Sequence, residues 1–350
     1  MFELSPSEDL LVADLEEDYL FLTTLPFQPR RARTLVFKRV GKDFDCPELP
    51  SFYERAREEA GRRGALVFLT AADVRSYLRL SAKDFEVLAT IGLSPPVCPG
   101  YRGRGVGTVN LAVLTRAPLS ESGLVDLLRT VAEAKSMAMA ELLLRCPSRS
   151  PGTVSDAIAV GRPASLEGEE HFAGMGTPLG SAVSEAIYMG LVREGMRRLG
   201  AEGVVANALG LRLEEMVDEA FKLYSLAPIP GAREEEVRRE LRETLRKHLS
   251  DPNVAALLVA ARELDLHALA GSLPGLSREE AEGDSVKVVA DELLAFALSL
   301  YLAGFKGLLA TYWVERLKKE KMKELPLFED DVLSALLASA LSQLYERGRA

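Results

Sequence analysis

Apolar positions change their period part-way along the chain. Up to about residue 200, short runs rich in β-branched and aromatic residues sit between helical stretches; 19–25, 34–40, 65–70, 85–90, 108–115 and 154–160 read as strands. Helices are expected over 51–63 and 120–145, and a third over 180–199 closes this segment. After Ala201 the strand signal stops. Apolar residues then recur every three or four positions over 211–224, 234–249, 253–270, 284–303, 306–323 and 330–347, the spacing of helices that bury one face. Two domains are expected: residues 1–200, α/β or α+β around a mixed sheet, and residues 201–350, an all-α bundle.

Local signals mark several of the helix ends. Ser277-Arg278-Glu279-Glu280 after Pro274-Gly275 reads as a capping box, in which hydroxyl and carboxylate satisfy each other's backbone donors. Asp251-Pro252 places a cap before a proline at the first helical position. Pro228 to Gly231 and Leu325-Pro326 separate neighbouring helices. The 21 residues from Leu293 to Trp313 carry one charge, Lys306, and are long enough to cross a bilayer. Gly304 and Gly307 divide them, and charged residues bound them closely, so two buried bundle helices and no membrane span are expected.

Composition narrows the class of protein. The chain has 350 residues, 47% of them hydrophobic, and a formal charge of −9, which argues against a nucleic-acid partner. Cys46, Cys98 and Cys146 lie far apart without a CxxC pair, so neither a disulfide framework nor a thiolate zinc site is expected, and a reducing cytoplasm fits. Glu3, Glu8 and Asp9 stand where a secretory signal would be basic and then apolar.

Several polar residues interrupt apolar patterns in the first domain. Lys135 falls on the apolar stripe of the helix that starts at Ser120, with Leu124, Leu128, Val131 and Ala138. It must either snorkel outward or meet an anionic partner. Glu133 lies nearly opposite, on the polar face. Thr108 and Asn110 alternate with Val109 and Leu111 after a glycine-rich loop flanked by Arg102 and Arg104. That loop precedes a strand, so it does not match a dinucleotide-binding turn. Asp156 enters a strand and reads equally as a turn residue or a site residue. His171, before the glycines of 174–180, is placed for a cleft rim, where an imidazole exchanges protons near neutral pH.

These segments resemble the adenosylcobinamide amidohydrolase family over about 65–198, most closely at 89–94, 107–110, 133–135 and 153–157. The resemblance implies hydrolysis of the aminopropanol amide of adenosylcobinamide to adenosylcobyric acid. It gives Lys135, Glu133, Asp156 and His171 as catalytic candidates, and Thr90, Ser94, Thr108, Asn110 and Thr177 as substrate-binding ones. A corrinoid is then a substrate, with no tightly bound organic cofactor.

In the second domain, Asp291-Glu292 sits between apolar runs, and Glu329-Asp330-Asp331 opens the last helix. Carboxylates on two facing helices suit a hard cation. With 211–224, 273–277, 289–292, 301–307 and 328–331, this half is similar to the α-ribazole phosphatase members of the phosphatidylglycerophosphatase A-like family, over about 209–347. That resemblance implies Mg²⁺ held by Asp291, Glu292, Asp330 and Asp331, catalysis at Asp291, and Lys287 against the phosphate of α-ribazole 5′-phosphate. The two resemblances together imply a bifunctional cobamide-salvage hydrolase with small-molecule partners, a corrinoid and a nucleoside phosphate. Three other readings stay open: a phosphatidylglycerophosphate phosphatase with an apolar groove near 293–313, a corrinoid-binding module that does not cut, and a helical half that serves as a homodimerisation module.

Overall fold

The computed structural model describes every residue except 46–47, 102, 104, 284–286, 318–321, 323 and 348–350. Cys46, Arg102, Arg104 and Asp284 therefore lie outside the described residues, as does much of the end of the helix expected over 306–323. The chain divides into two compact units, Met1–Arg198 and Leu199–Ala350.

The first unit is built on an eight-stranded mixed sheet in the order β4-β3-β2-β10-β8-β6-β5, with β5 spanning Leu78–Ser81 and β1 (Phe2–Pro6) added to β2. Within it β8 (Val109–Thr115) is flanked by β6 (Phe85–Ile91) and β10 (Ala157–Pro163). All seven residues of each of these strands are buried, as expected where both faces of a strand are covered. β8 runs antiparallel to β6 and parallel to β10, in a register that aligns Thr90, Asn110 and Ala157 across the sheet. Helix α1 (Leu49–Glu59) packs Tyr53 and Ala56 on β2 (Leu10–Thr23), β3 (Arg31–Arg39) and β4 (Leu66–Thr70). Helix α2 (Glu121–Glu141) packs against β10 and β2. Its start follows from Ser120, whose hydroxyl accepts the Gly123 N–H at 3.2 Å.

Two boundaries differ from the sequence reading for physical reasons. β2 starts at Leu10, well before residue 19, and its pairing with β3 slips between Asp14 and Tyr19 around the exposed acids Glu16, Glu17 and Asp18. That irregularity hides the two-residue period. β10 starts at Ala157, so Asp156 is in the turn before the strand and not two residues inside it.

The second unit is helical, with α4 (Leu213–Tyr224), α5 (Glu234–Leu249), α6 (Pro252–Leu269), the short α7 (Arg278–Glu282), α8 (Ala290–Leu317) and α9 (Leu327–Arg347). Helix α3 (Pro178–Leu209) leads into it through a break at Gly200, φ 64°. The capping box at Ser277 and the Asp251 cap on Asn253 form as expected. α9 is the core of the bundle, buried from Val332 to Ala340. Its first turn is held from α6: Arg262 pairs with Glu329 at 2.9 Å, and the Asp265 carboxylate accepts the N–H groups of Phe328 and Glu329.

α8 corrects one expectation. By length and composition it passes for a membrane-crossing helix, yet Gly304, at φ 60°, breaks it. The Ser299 hydroxyl bonds that of Thr311 at 2.6 Å, whereas twelve residues of straight helix span about 18 Å. The two limbs therefore fold back on each other. They are only half covered: Leu298 and Val314 are buried, but Leu293, Phe305 and Trp313 are 62%, 68% and 59% exposed. The two glycine-joined helices are present but not buried, because only their inner faces meet the bundle.

Candidate functional site

The turn before β10 carries a dense polar cluster. Asp156 Oδ1 accepts the Val109 N–H at 2.8 Å and the Thr153 hydroxyl at 2.5 Å. Its Oδ2 accepts the Thr153 N–H at 3.0 Å and Lys135 Nζ at 2.5 Å. The Lys135 and Asp156 side chains are 10% and 11% exposed, and Lys135 also donates to the Pro151 carbonyl at 3.2 Å. Of the two arrangements open to a lysine on an apolar stripe, the structure shows the anionic partner. A carboxylate has about four lone-pair sites, and these four donors occupy them. Asp156 is thus placed to hold its neighbours rather than to take a proton from water.

The surroundings leave no slack. A Cβ on Gly152 would lie 2.0 Å from Asp156 Oδ2 and 2.5 Å from Lys135 Nζ. One on Gly107 would meet the Ser94 carbonyl at 2.6 Å. The Thr108 hydroxyl lies 3.1 Å from that of Ser155, which donates to the Gly107 carbonyl. Asn110 is fully buried; its Nδ2 donates to the Leu69 carbonyl, while Oδ1 meets no hydrogen-bond donor among the described residues. Thr90, the cross-strand neighbour of Asn110, bonds Thr70 at 3.3 Å. Ser94, on the loop over this end of the sheet, is exposed.

Three sequence candidates lie elsewhere. Glu133 pairs with Arg129 at 2.9 Å and is 42% exposed, on the solvent face of α2. Thr177 caps α3, accepting the Gly180 N–H. His171 is exposed, and its Nδ1 lies 2.8 Å from the Ser120 hydroxyl. His171 and Thr177 line a cavity of about 890 Å³ with Phe85, Arg116 and Pro118. Phe85 pairs with Thr115 and Ile91 with Val109, so this cavity is at the opposite end of β8 from Asp156, about 20 Å away by strand rise. The structure brings Lys135, Asp156, Thr108 and Asn110 to one end of the sheet and leaves His171 and Thr177 at the other.

In the second unit, carboxylate oxygens of Asp291, Glu292 and Asp331 lie within 4.8 Å of one another, and so do those of Glu315, Asp330 and Asp331. Asp331 belongs to both groups. Asp291 is 3% exposed, and burial, reinforced by Glu292 beside it, pushes its pKa up to about 7. A cleft of about 490 Å³ borders the cluster, lined in part by Asp330, Asp331, Glu324 and Asp265. Burial also pushes Asp265 up to about 7, against the pull of the N–H groups it caps. Lys287 forms its ion pair with Glu280, at 2.9 Å.

The adenosylcobinamide amidohydrolase family model matches residues 2–202, more than half of the chain. The chain belongs to this family. It is similar to the adenosylcobinamide amidohydrolase of Methanosarcina mazei, 29% identical over 171 residues that cover 46% of this chain and 82% of that one. It is also similar to an uncharacterised protein of Methanocaldococcus jannaschii, 34% identical over 122 residues, 33% of this chain and 93% of that one. Among solved structures, the low temperature requirement C protein of Listeria monocytogenes aligns at 20% identity over 43% of this chain and 95% of its own, with a TM-score of 0.37. Protein ypjQ of Bacillus subtilis does so at 21% identity, over the same shares and with the same TM-score.

The amidohydrolase-family unit also holds features that sequence reasoning missed. Thr153 and Ser155 complete the Asp156 cluster; the Ser/Thr/Asp composition of 153–156 hinted at a turn but not at its partners. Cys98 and Cys146 form a disulfide across 48 residues, which corrects the expectation of no disulfide. Their wide separation in sequence hid it, because pairing depends on the fold and not on spacing. The bond joins the loop after β7 (Pro96–Val97) to the segment after α2, and Val97 pairs with Gly152 beside the Lys135–Asp156 cluster.

Proposed function

We infer that the chain hydrolyses the aminopropanol amide of adenosylcobinamide at the Asp156 end of the sheet. The observation that carries this reading is convergence: Thr108, Asn110, Lys135, Thr153 and Asp156 come from three separate segments of the family-matched region and meet at one end of the sheet. In this reading Lys135 Nζ, fixed by Asp156, supplies positive charge to the amide carbonyl oxygen as it becomes an oxyanion. The hydroxyls of Thr108 and Ser155 hold the Gly107 backbone in place, and the backbone at Gly92 and Gly107 admits the corrinoid edge. Water adds to the carbonyl carbon, the C–N bond breaks, and aminopropanol leaves with a proton on nitrogen, giving adenosylcobyric acid. Incubation with adenosylcobinamide, followed by chromatography and mass spectrometry, tests it. Adenosylcobyric acid should form with the wild type, and Lys135→Met should bind substrate without cutting it. An intact substrate in the presence of folded, corrinoid-binding wild type would leave a binding module in place of an enzyme.

The helical unit is read as a phosphomonoesterase for α-ribazole 5′-phosphate. What supports this is the crowding of Asp291, Glu292, Glu315, Asp330 and Asp331 into two three-carboxylate groups that share Asp331, beside an acidic cleft. The donor set fits Mg²⁺: all ligands are hard oxygens, and three carboxylates within 4.8 Å of one another suit a divalent cation. When bound, Mg²⁺ supplies charge neutralisation for the phosphate and orients water. Glu315 would join the ligand set, while Lys287 is engaged with Glu280. Phosphate release from α-ribazole 5′-phosphate that needs Mg²⁺ and is lost in Asp331→Asn tests this; release only from phosphatidylglycerophosphate would assign the unit to a lipid substrate.

A further inference from the structure

The α8 hairpin is apolar on both sides. Its outer positions are large and uncovered: Leu293, Phe296 and Leu300 follow at spacings of three and four on one limb, and Phe305, Leu309 and Trp313 at spacings of four on the other, all between 40% and 68% exposed. A helix that is apolar all round belongs in an interior, and a contiguous uncovered area of this kind marks an interaction surface. The patch runs on into an apolar groove of about 830 Å³ lined by Leu226, Trp313, Leu317, Leu341 and Tyr345.

We propose that this face docks on the same face of a second copy of the chain, so that two hairpins close into a four-helix layer about a twofold axis. Ten large side chains from Val289 to Leu317, each roughly half uncovered, expose an area on the order of the ~800 Å² per partner that a stable interface buries. The three-and-four spacing is that of helices packed on helices, and the same stripe on both partners makes the contact self-complementary. At the rim, Lys306 and Glu346 pair at 2.6 Å, so two copies meet without building up like charge. A bilayer is a poor match, because each limb, of 14 and 13 residues, reaches about 20 Å against a hydrocarbon core of about 30 Å.

Sedimentation velocity of the full chain across a concentration series tests this. The wild type should sediment at twice its 38.2 kDa. Leu309→Glu should weaken association on the order of a hundredfold, the effect of a central interface side chain, with unchanged helicity by circular dichroism. Should the glutamate variant fold poorly, Phe305→Ser, at the most exposed position of the face (68%), reads the same point. A wild type that stays monomeric throughout overturns the proposal, and if that monomer floats with phosphatidylcholine–phosphatidylglycerol vesicles the face belongs to a bilayer. A dimer indifferent to both substitutions overturns it too, since another surface then joins the copies.

Discussion

Asp156 and Asp291 are both largely buried carboxylates, and they meet burial in opposite ways. Asp156 accepts four hydrogen bonds, one from a buried ammonium. Asp291 faces Glu292 and Asp331 and is pushed up to about 7. The first site is electrostatically closed by its own donors; the second gathers carboxylates around Asp331. A buried charge with all its partners supports the fold, whereas one left among like charges marks a place where stability has been given up for binding.

The largest expected effect comes from breaking the closed site. Asp156→Ala strands a buried ammonium and should lower the stability of the first unit by about 3–5 kcal/mol, read by urea denaturation, together with loss of amide cleavage. Next is the disulfide. All three cysteines lie before residue 199, so reductant should lower the calorimetric transition of the first unit by roughly 2–4 kcal/mol, the range for loops of this size, and leave that of the helical unit in place. Asp291→Asn should do the reverse of Asp156→Ala. With its like-charge crowding removed, the metal-free helical unit should gain about 2 kcal/mol above neutral pH, while phosphatase activity and the rise in melting temperature on adding Mg²⁺ disappear.

The same burial gives a pH dependence. Asp291 and Asp265 bind protons up to about pH 7 when folded but only up to their ordinary value of 3.8 when unfolded. Between those limits the folded state holds more protons, so metal-free stability should fall as pH rises through the window and level off above it. Asp291→Asn should remove about half of that slope, because Asp265 keeps its share. Denaturation midpoints on both sides of the window, with the wild type and the variant, measure it.

Much of the helical half was legible because its cues are local. Ser277, Asp251 and the apolar period of 234–249 each act within a few residues, and the structure places caps and helices where those cues point. The first half depends on pairing between distant segments. β5 (Leu78–Ser81) is four half-covered or exposed residues at a sheet edge, too short to show a period. Lys135 showed a conflict with its stripe but not the partner that resolves it, because Asp156 comes from a turn 21 residues away. Glu133 and His171 carry reactive groups at suggestive positions, yet three-dimensional placement puts one against Arg129 and the other across the sheet. For α8, apolar composition says that a face will be covered and not by what.

Helix α3 carries one more consequence. Its break at Gly200 falls at the division between the two units and close to residue 202, where the family match ends. Before it, Ile187 and Leu191 are buried; after it, Val205 and Leu209 join the core of the helical bundle. Gly200 is therefore a seam at which a gene could be recombined, since a join there severs a helix where it is already interrupted.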